Sequence, residues 1–248
     1  MSTFAFDYLS ELIKRIERIR DEEGEALQQA AKLMADAIEG GHSLFAFGCT
    51  HSSLPIQDLV YRAGGLMLIN PILAPGIASL DVHPATLSSA MEQMTGYAKV
   101  ILDNTPIHAG DVLILVSVSG RNAVPIEMAQ IARERGIKVI GVTSVEYTEA
   151  VTSRHPSGKK MRDFADIVLD NKAPKGDAVL SDPRVPQKFV PVSGATSIAL
   201  LQALVAATVE ELLARGITPP VLLAANVDGG AEYNARLFAQ YRDRIHYL

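Results

Sequence analysis

The stretch DVLILVSVSGRNAVPIEM, residues 111–128, constrains the fold of this chain more than any other. An apolar run over 112–116 leads into Ser117, Ser119, Gly120 and Asn122, and Pro125-Ile126-Glu127-Met128 then reads as the first turns of a helix. The pattern is a strand, a polar elbow and a helix. In a parallel sheet such an elbow lies at the carboxyl end of its strand, where these sheets bind ligands. Its amides face the positive end of the helix dipole, a geometry that suits an anion, above all a phosphate.

The same unit occurs earlier. SLFAFG, residues 43–48, reads as a buried strand, followed by Cys49-Thr50-His51-Ser52-Ser53 and a helix from Pro55 to Arg62. Before it, Leu9, Leu12, Ile13, Ile16 and Ile19, then Leu27, Ala30, Ala31, Met34, Ala37 and Ile38, recur at helical spacing, so one or two amphipathic helices occupy the first forty residues and stop at Gly40-Gly41. After it, residues 66–70 read as a strand stopped by Pro71, residues 71–84 as a Pro/Gly loop of the length that is often functional, and about 86–102 as a helix. Residues 137–142 form the next expected strand, ending in Thr143-Ser144, and 166–169 a further short one. Residues 171–191 read as loop, Ser193 as the cap of a long apolar helix to Arg215, and the chain closes with a helix after Asp228-Gly229-Gly230. Strands alternating with helices predict a doubly wound parallel α/β sheet. The expected layout is one domain over 1–248: helical extension 1–40, core sheet 41–170, C-terminal loop and helices 171–248.

Composition narrows the function classes. A 48% hydrophobic and 21% charged chain is that of a globular protein. The formal net charge of −5, with basic and acidic residues alternating, disfavours nucleic acid as a partner. The longest nearly apolar segment, 198–209, is too short for a bilayer and the N-terminus lacks a secretory pattern, so no membrane partner and a cytoplasmic location are expected. Cys49 is the only cysteine, which rules out an intrachain disulfide and fits a reducing compartment. His42, His83, His108 and His246 show no ligand spacing, and neither a metal nor another cofactor is expected.

Neither turn is GxxxxGK[ST] or GxGxxG, which favours a monophosphate over a nucleoside triphosphate or dinucleotide. Hydroxyl residues at one strand-to-helix turn are common simply as caps; two such turns in one sheet carry more weight.

The S-x-S-G-x-[NT] turn, preceded by a G-x-[GT]-x-S turn, resembles the sugar isomerase (SIS) domain of phosphosugar isomerases and phosphosugar-binding regulators. The strings YRAGGL (61–66), SGRNAVPIEMA (119–129), HPSGKK (155–160), GDA (176–178) and NVDGGAEYN (226–234) are similar to a phosphoheptose-isomerase-like subfamily of it. The resemblance implies a three-layer αβα sandwich on a five-stranded parallel sheet of flavodoxin-like order, with N-terminal and C-terminal helices. It also implies a homodimer or higher oligomer with sites at the subunit boundary and a phosphorylated sugar as ligand. Carried over, the pattern makes Ser117, Ser119 and Asn122 the main phosphate contacts, with Ser52 and the amides around His51 facing them, and Ser144 and Thr196 at the pocket edge.

The chain departs from that pattern in two places. Gly48-Cys49-Thr50-His51-Ser52-Ser53 stands where G-T-G-H-S-H is expected, and Gln57-Asp58 where a paired Glu is expected. Aldose–ketose isomerisation needs a base between adjacent carbons. His51 is read as an acid/base or ring-opening group, or else as a structural histidine, and Asp58 as a shorter catalytic acid, or else as a solvated helix charge. Glu127 is accounted for by the helix dipole, or else is catalytic; His155 and Lys159 are solvated loop residues, or else reach a ligand in the same or a neighbouring subunit; Arg62 and Arg121 either neutralise a phosphate or pair with acids. The expected function is a phosphosugar-binding protein acting as an aldose/ketose phosphate isomerase through an enediol(ate). The alternatives are a phosphosugar etherase or lyase that releases lactate, and a non-catalytic phosphosugar sensor.

Overall fold

The computed structural model describes residues 3–78 and 82–248; Met1, Ser2 and part of the 71–84 loop (Ser79, Leu80, Asp81) lie outside the described residues. Helices α1 (Thr3–Glu22) and α2 (Gly24–Glu39) open the chain, and α2 ends at Gly40 as expected. Five strands follow: β1 (Leu44–Gly48), β2 (Ile69–Pro71), β3 (Val112–Val116), β4 (Lys138–Thr143) and β5 (Ile167–Asp170). They form one parallel sheet in the order β2-β1-β3-β4-β5. Between and after them run α3 (Leu54–Leu59), α4 (Thr86–Met91), α5 (Tyr97–Asp103), α6 (Ala123–Glu134), α7 (Val145–Glu149), α8 (Ser193–Ala214) and α9 (Gly230–Gln240).

Period-2 alternation in the strands builds two cores. Leu44 and Ala46 of β1 with Val112, Ile114 and Val116 of β3 pack under α2, α3 and α8. Phe45 and Phe47 with Leu113 and Leu115 point the other way, under α5 and α6. Strands apolar on both sides require helices on both faces, which gives three layers. The chain leaves β1 through α3 on the first face and β3 through α6 on the second. The connections therefore diverge between these neighbouring strands, and a crevice opens at their carboxyl ends, where Gly48 stands opposite Val116.

Several elements differ from the expectations. The 86–102 helix is two helices, α4 and α5, separated at Gly96. Strand β2 is displaced to residues 69–71 and includes Pro71, which an edge strand tolerates because one side of it needs no ladder donor. Residues 171–191 are not all loop, because β6 (Ala178–Asp182) and β7 (Val185–Pro191) pair as an antiparallel hairpin. Val192, not Ser193, occupies the cap position of α8, and the Ser193 hydroxyl donates to Asp177 Oδ2 at 2.7 Å. Helix α8 runs 22 residues and contains an 18-residue window of mean hydropathy 1.6, longer than the 198–209 segment suggested and sufficient by length and composition to cross a membrane. Its Leu200, Leu201, Leu204 and Leu212 are buried in the core with α2, and each such burial contributes about 2 kcal/mol, so packing accounts for its apolarity. Asn70 in β2 donates to the carbonyls of Leu44, Leu68 and Arg244 and accepts from the His246 amide, fastening the C-terminal tail over the sheet edge.

Candidate functional site

The crevice holds a cavity of about 580 Å³ lined by Thr50, His51 and Ser52 from the β1 turn, Ser117 to Ser119 and Asn122 from the β3 turn, Glu92, Tyr147, Gly176-Asp177, Pro191 and the start of α8. The two turns are built differently.

In the β3 turn, four successive carbonyls are tied back. Val118 O accepts from the Ser144 amide (3.0 Å) and the Thr143 hydroxyl (3.1 Å), and Ser119 O accepts from Thr148 Oγ1 (3.1 Å). Gly120 O accepts from the Met161 amide (2.9 Å) and Arg121 O from the Arg154 amide (2.8 Å). With the oxygens held on one side, the amides of residues 118–122 donate to no other described residue. Gly120 allows this curvature, having φ of +58°, in the left-handed region. Successive free amides at the start of α6 make a concavity for an anion, and the helix dipole adds to it.

The β1 turn uses amides of its own. Thr50 N donates to Ile77 O at 2.6 Å and Ser52 N to Cys49 O at 2.9 Å, within a turn of 3-10 helix over Thr50–Ser53. The chain folds so tightly that a Cβ on Gly48 would lie 2.1 Å from the Ser52 carbonyl oxygen. This turn therefore offers the cavity side chains, His51 and Ser52.

The residues singled out in the sequence divide accordingly. His51, Ser52, Ser117, Ser119 and Asn122 line the cavity together. Ser144 does not: it is buried, accepts from the Tyr147 amide as the cap of α7 and donates to Ala173 O. Thr196 is buried and bonded to the carbonyls of Val192 and Ser193, while Ser193, Gly194, Ala195 and Ser197 around it form the wall. Asp58 is ion-paired with Arg62 and accepts from Gln202 Nε2 at 2.9 Å, away from the cavity lining. Gln57 donates to Ser53 Oγ at 3.1 Å and likewise does not line it. No cluster of metal-ligating side chains occurs among the described residues.

Glu92 was not among the candidates. It caps the C-terminal end of α4, and its own carbonyl accepts from the Val124 amide at the start of α6, which seats its side chain beside the β3 turn. Burial pushes its carboxyl pKa up, partly offset by a hydrogen bond from Asn122 and the charge of Arg154. A raised carboxyl in a polar cleft is the state a general base or acid needs. No sequence signal marks it, because a helix read over 86–102 places Glu92 in mid-helix, and only the break at Gly96 exposes it as a helix end. Asp177, the other acid in the lining, holds the start of α8 by accepting from the Val192 and Ser193 amides at 3.1 and 2.7 Å.

Comparisons with known proteins agree with this architecture. The SIS domain family model matches residues 7–144. A UPF0309 protein of Streptomyces griseus is 52% identical over 246 residues, covering 99% of this chain and 98% of its own length. One from Oceanobacillus iheyensis is 40% identical, covering 99% and 100%. Among solved structures, a phosphoheptose isomerase from Neisseria gonorrhoeae superposes with a TM-score of 0.55 at 20% identity, over 83% of this chain and 97% of that one. The Vibrio vulnificus NanR protein complexed with ManNAc-6P gives 0.51 at 14% identity, over 97% and 70%. With more than half its residues matched and whole-length relatives at this identity, the chain belongs to the SIS domain family and, within it, to the UPF0309 proteins.

Proposed function

We propose that the protein binds a phosphorylated sugar in the 580 Å³ cavity and isomerises it between aldose and ketose forms. The observation that carries the reading is the β3 turn, whose carbonyls are all tied back while its amides stay free for three phosphate oxygens. Ser117, Ser119 and Asn122 add side-chain donors, and Ser52 closes the site from the β1 side. Glu92 acts as the base in the place the sequence pattern gave to Asp58. It removes the proton from the carbon next to the carbonyl of the open-chain sugar, leaving an enediolate, and returns it to the neighbouring carbon. His51 exchanges the proton between the two oxygens. Electrons and atoms balance within the substrate, so the step calls for no redox partner.

A panel of aldose and ketose phosphates, assayed for turnover and for binding, tests the reading. Interconversion that disappears in Glu92→Gln, with binding retained, is the expected result. Binding without turnover across the panel would defeat the enzyme and leave a sensor. The NanR complex gives that second reading its support, because a protein of similar fold there is complexed with ManNAc-6P. Lactate release would point to the etherase instead. Exposed Phe6, Leu9 and Ile13 along one side of α1 support self-association, which sedimentation equilibrium checks.

A further inference from the structure

Glu127 does not line the cavity, yet its carboxylate joins the two segments that bracket the anion turn. Oε2 accepts from the Gly96 amide at 2.7 Å, just beyond Glu92, and Oε1 lies 3.3 Å from His155 Nε2, next to Arg154. His155 Nδ1 accepts from the Ser157 amide at 3.3 Å and lies 2.7 Å from the Ser157 hydroxyl, so the ring proton belongs on Nε2 and is donated to Glu127. The polar loop 152–160 is thereby fixed at its base. Arg154 is anchored there by its amide to Arg121 O, and its Nη1 donates to Asn122 Oδ1 at 3.1 Å.

An amide whose oxygen faces a guanidinium presents its NH2 on the other side. Glu92 lines the same cavity beside Asn122, and the Asn122 side chain acts to lower its pKa. The geometry therefore leads from Arg154 through the Asn122 amide toward Glu92. We propose that Arg154 is a positioning residue of the site, setting the Asn122 amide so that it holds the Glu92 carboxylate and lets that carboxylate and a bound phosphate group share one cavity.

The inference rests on the phosphate-site reading above. Without a cation, a carboxylate and a phosphate dianion side by side disfavour each other's charged forms. No lysine or arginine side chain is among those that line the cavity. Cys49 at the end of β1 is buried, which pushes its thiol up and keeps it neutral, and Asn122 is uncharged. His51 lines the same cavity, and the Arg121 guanidinium is turned toward Thr152.

The test needs no turnover. Glutamate labelled with carbon-13 at the carboxyl is titrated by NMR at low ionic strength, with Glu92 assigned by the signal lost in Glu92→Gln. Wild type, Arg154→Ala and Arg154→Lys are compared with and without inorganic phosphate. The Glu92 midpoint is expected to rise in Arg154→Ala, to return partway in Arg154→Lys, which keeps charge without the planar fork, and to return on adding millimolar guanidinium. Phosphate binding weakens about tenfold in Arg154→Ala, the scale of one charge-assisted contact. If Glu92 titrates identically in wild type and Arg154→Ala, the inference is overturned. An Arg154-dependent midpoint in a protein that binds no phosphate would sustain the positioning role and remove the phosphate-site reading beneath it.

Discussion

The β1 and β3 turns begin side by side, carry similar residues and do different things. Both follow a buried strand and both are rich in serine and glycine. The difference lies in where the backbone polar groups go. The β1 turn satisfies amides within itself and against Ile77, so it is a rigid mount for His51 and Ser52. The β3 turn has its carbonyls satisfied by Thr143, Ser144, Thr148, Arg154 and Met161, and its amides donate to no other described residue. Hydroxyl content does not by itself mark an anion site; the fate of the neighbouring carbonyls does.

Three experiments press on this contrast. The largest effect is expected from Gly48→Ala, whose Cβ meets backbone atoms at 2.1 and 2.5 Å; urea unfolding should show a loss of about 3 kcal/mol or no folded protein at all. Gly120→Ala meets the Thr148 and Thr143 hydroxyls at 3.3 and 3.4 Å and a Thr148 methyl at 3.7 Å, so the strain of its left-handed φ sets the loss at about 1–2 kcal/mol. Equal losses at the two positions would break the claim that the β1 turn is the tighter mount.

Next in size is the binding asymmetry. Ser119→Ala or Asn122→Ala should weaken inorganic phosphate binding about fivefold to tenfold by calorimetry, and Ser52→Ala by about twofold or less. A larger effect at Ser52 would move the anion to the β1 side.

The smallest effect concerns Glu92. Because its folded-state pKa is raised, the folded form holds the proton more tightly than the unfolded chain. That contribution to stability is whole below the ordinary value of 4.5 and is lost as pH rises through the raised folded value. Glu92→Gln lacks this loss, so its unfolding free energy relative to wild type should climb with pH above 4.5 and then level off. A flat difference would mean that the carboxyl is not held by burial beside the β3 turn.

Much of the sheet was legible in the sequence, since the runs 44–48, 112–116 and 139–142 are apolar on both faces, as a covered parallel strand requires. The β6–β7 hairpin was not. Its residues are mostly half-buried or exposed, and Pro183, Pro186 and Pro191 interrupt the pattern that would announce a strand. The turns were visible as turns. Which side their amides face was not, because that depends on Thr143, Thr148, Arg154 and Met161, brought in from far along the chain. Glu92 was hidden for the same reason: only its contact with Val124 places it.

The wall opposite the anion turn comes from Gly176-Asp177, Pro191 and residues 193–197, all beyond the segment matched by the family model. On the proposed function, anchoring and selection are thus carried by separate stretches of chain. The β3 turn continues a central strand of the sheet, whereas Pro191, at the end of a hairpin that pairs only with itself, and Gly194, in the first turn of α8, are exposed. On the proposed function, a mutant library confined to Pro191, Gly194 and Ala195 would redirect which sugar is accepted while leaving the Asp177 anchor of α8 and the phosphate grip intact. Relatives built on the same anchor have room to diverge in substrate by altering that one border.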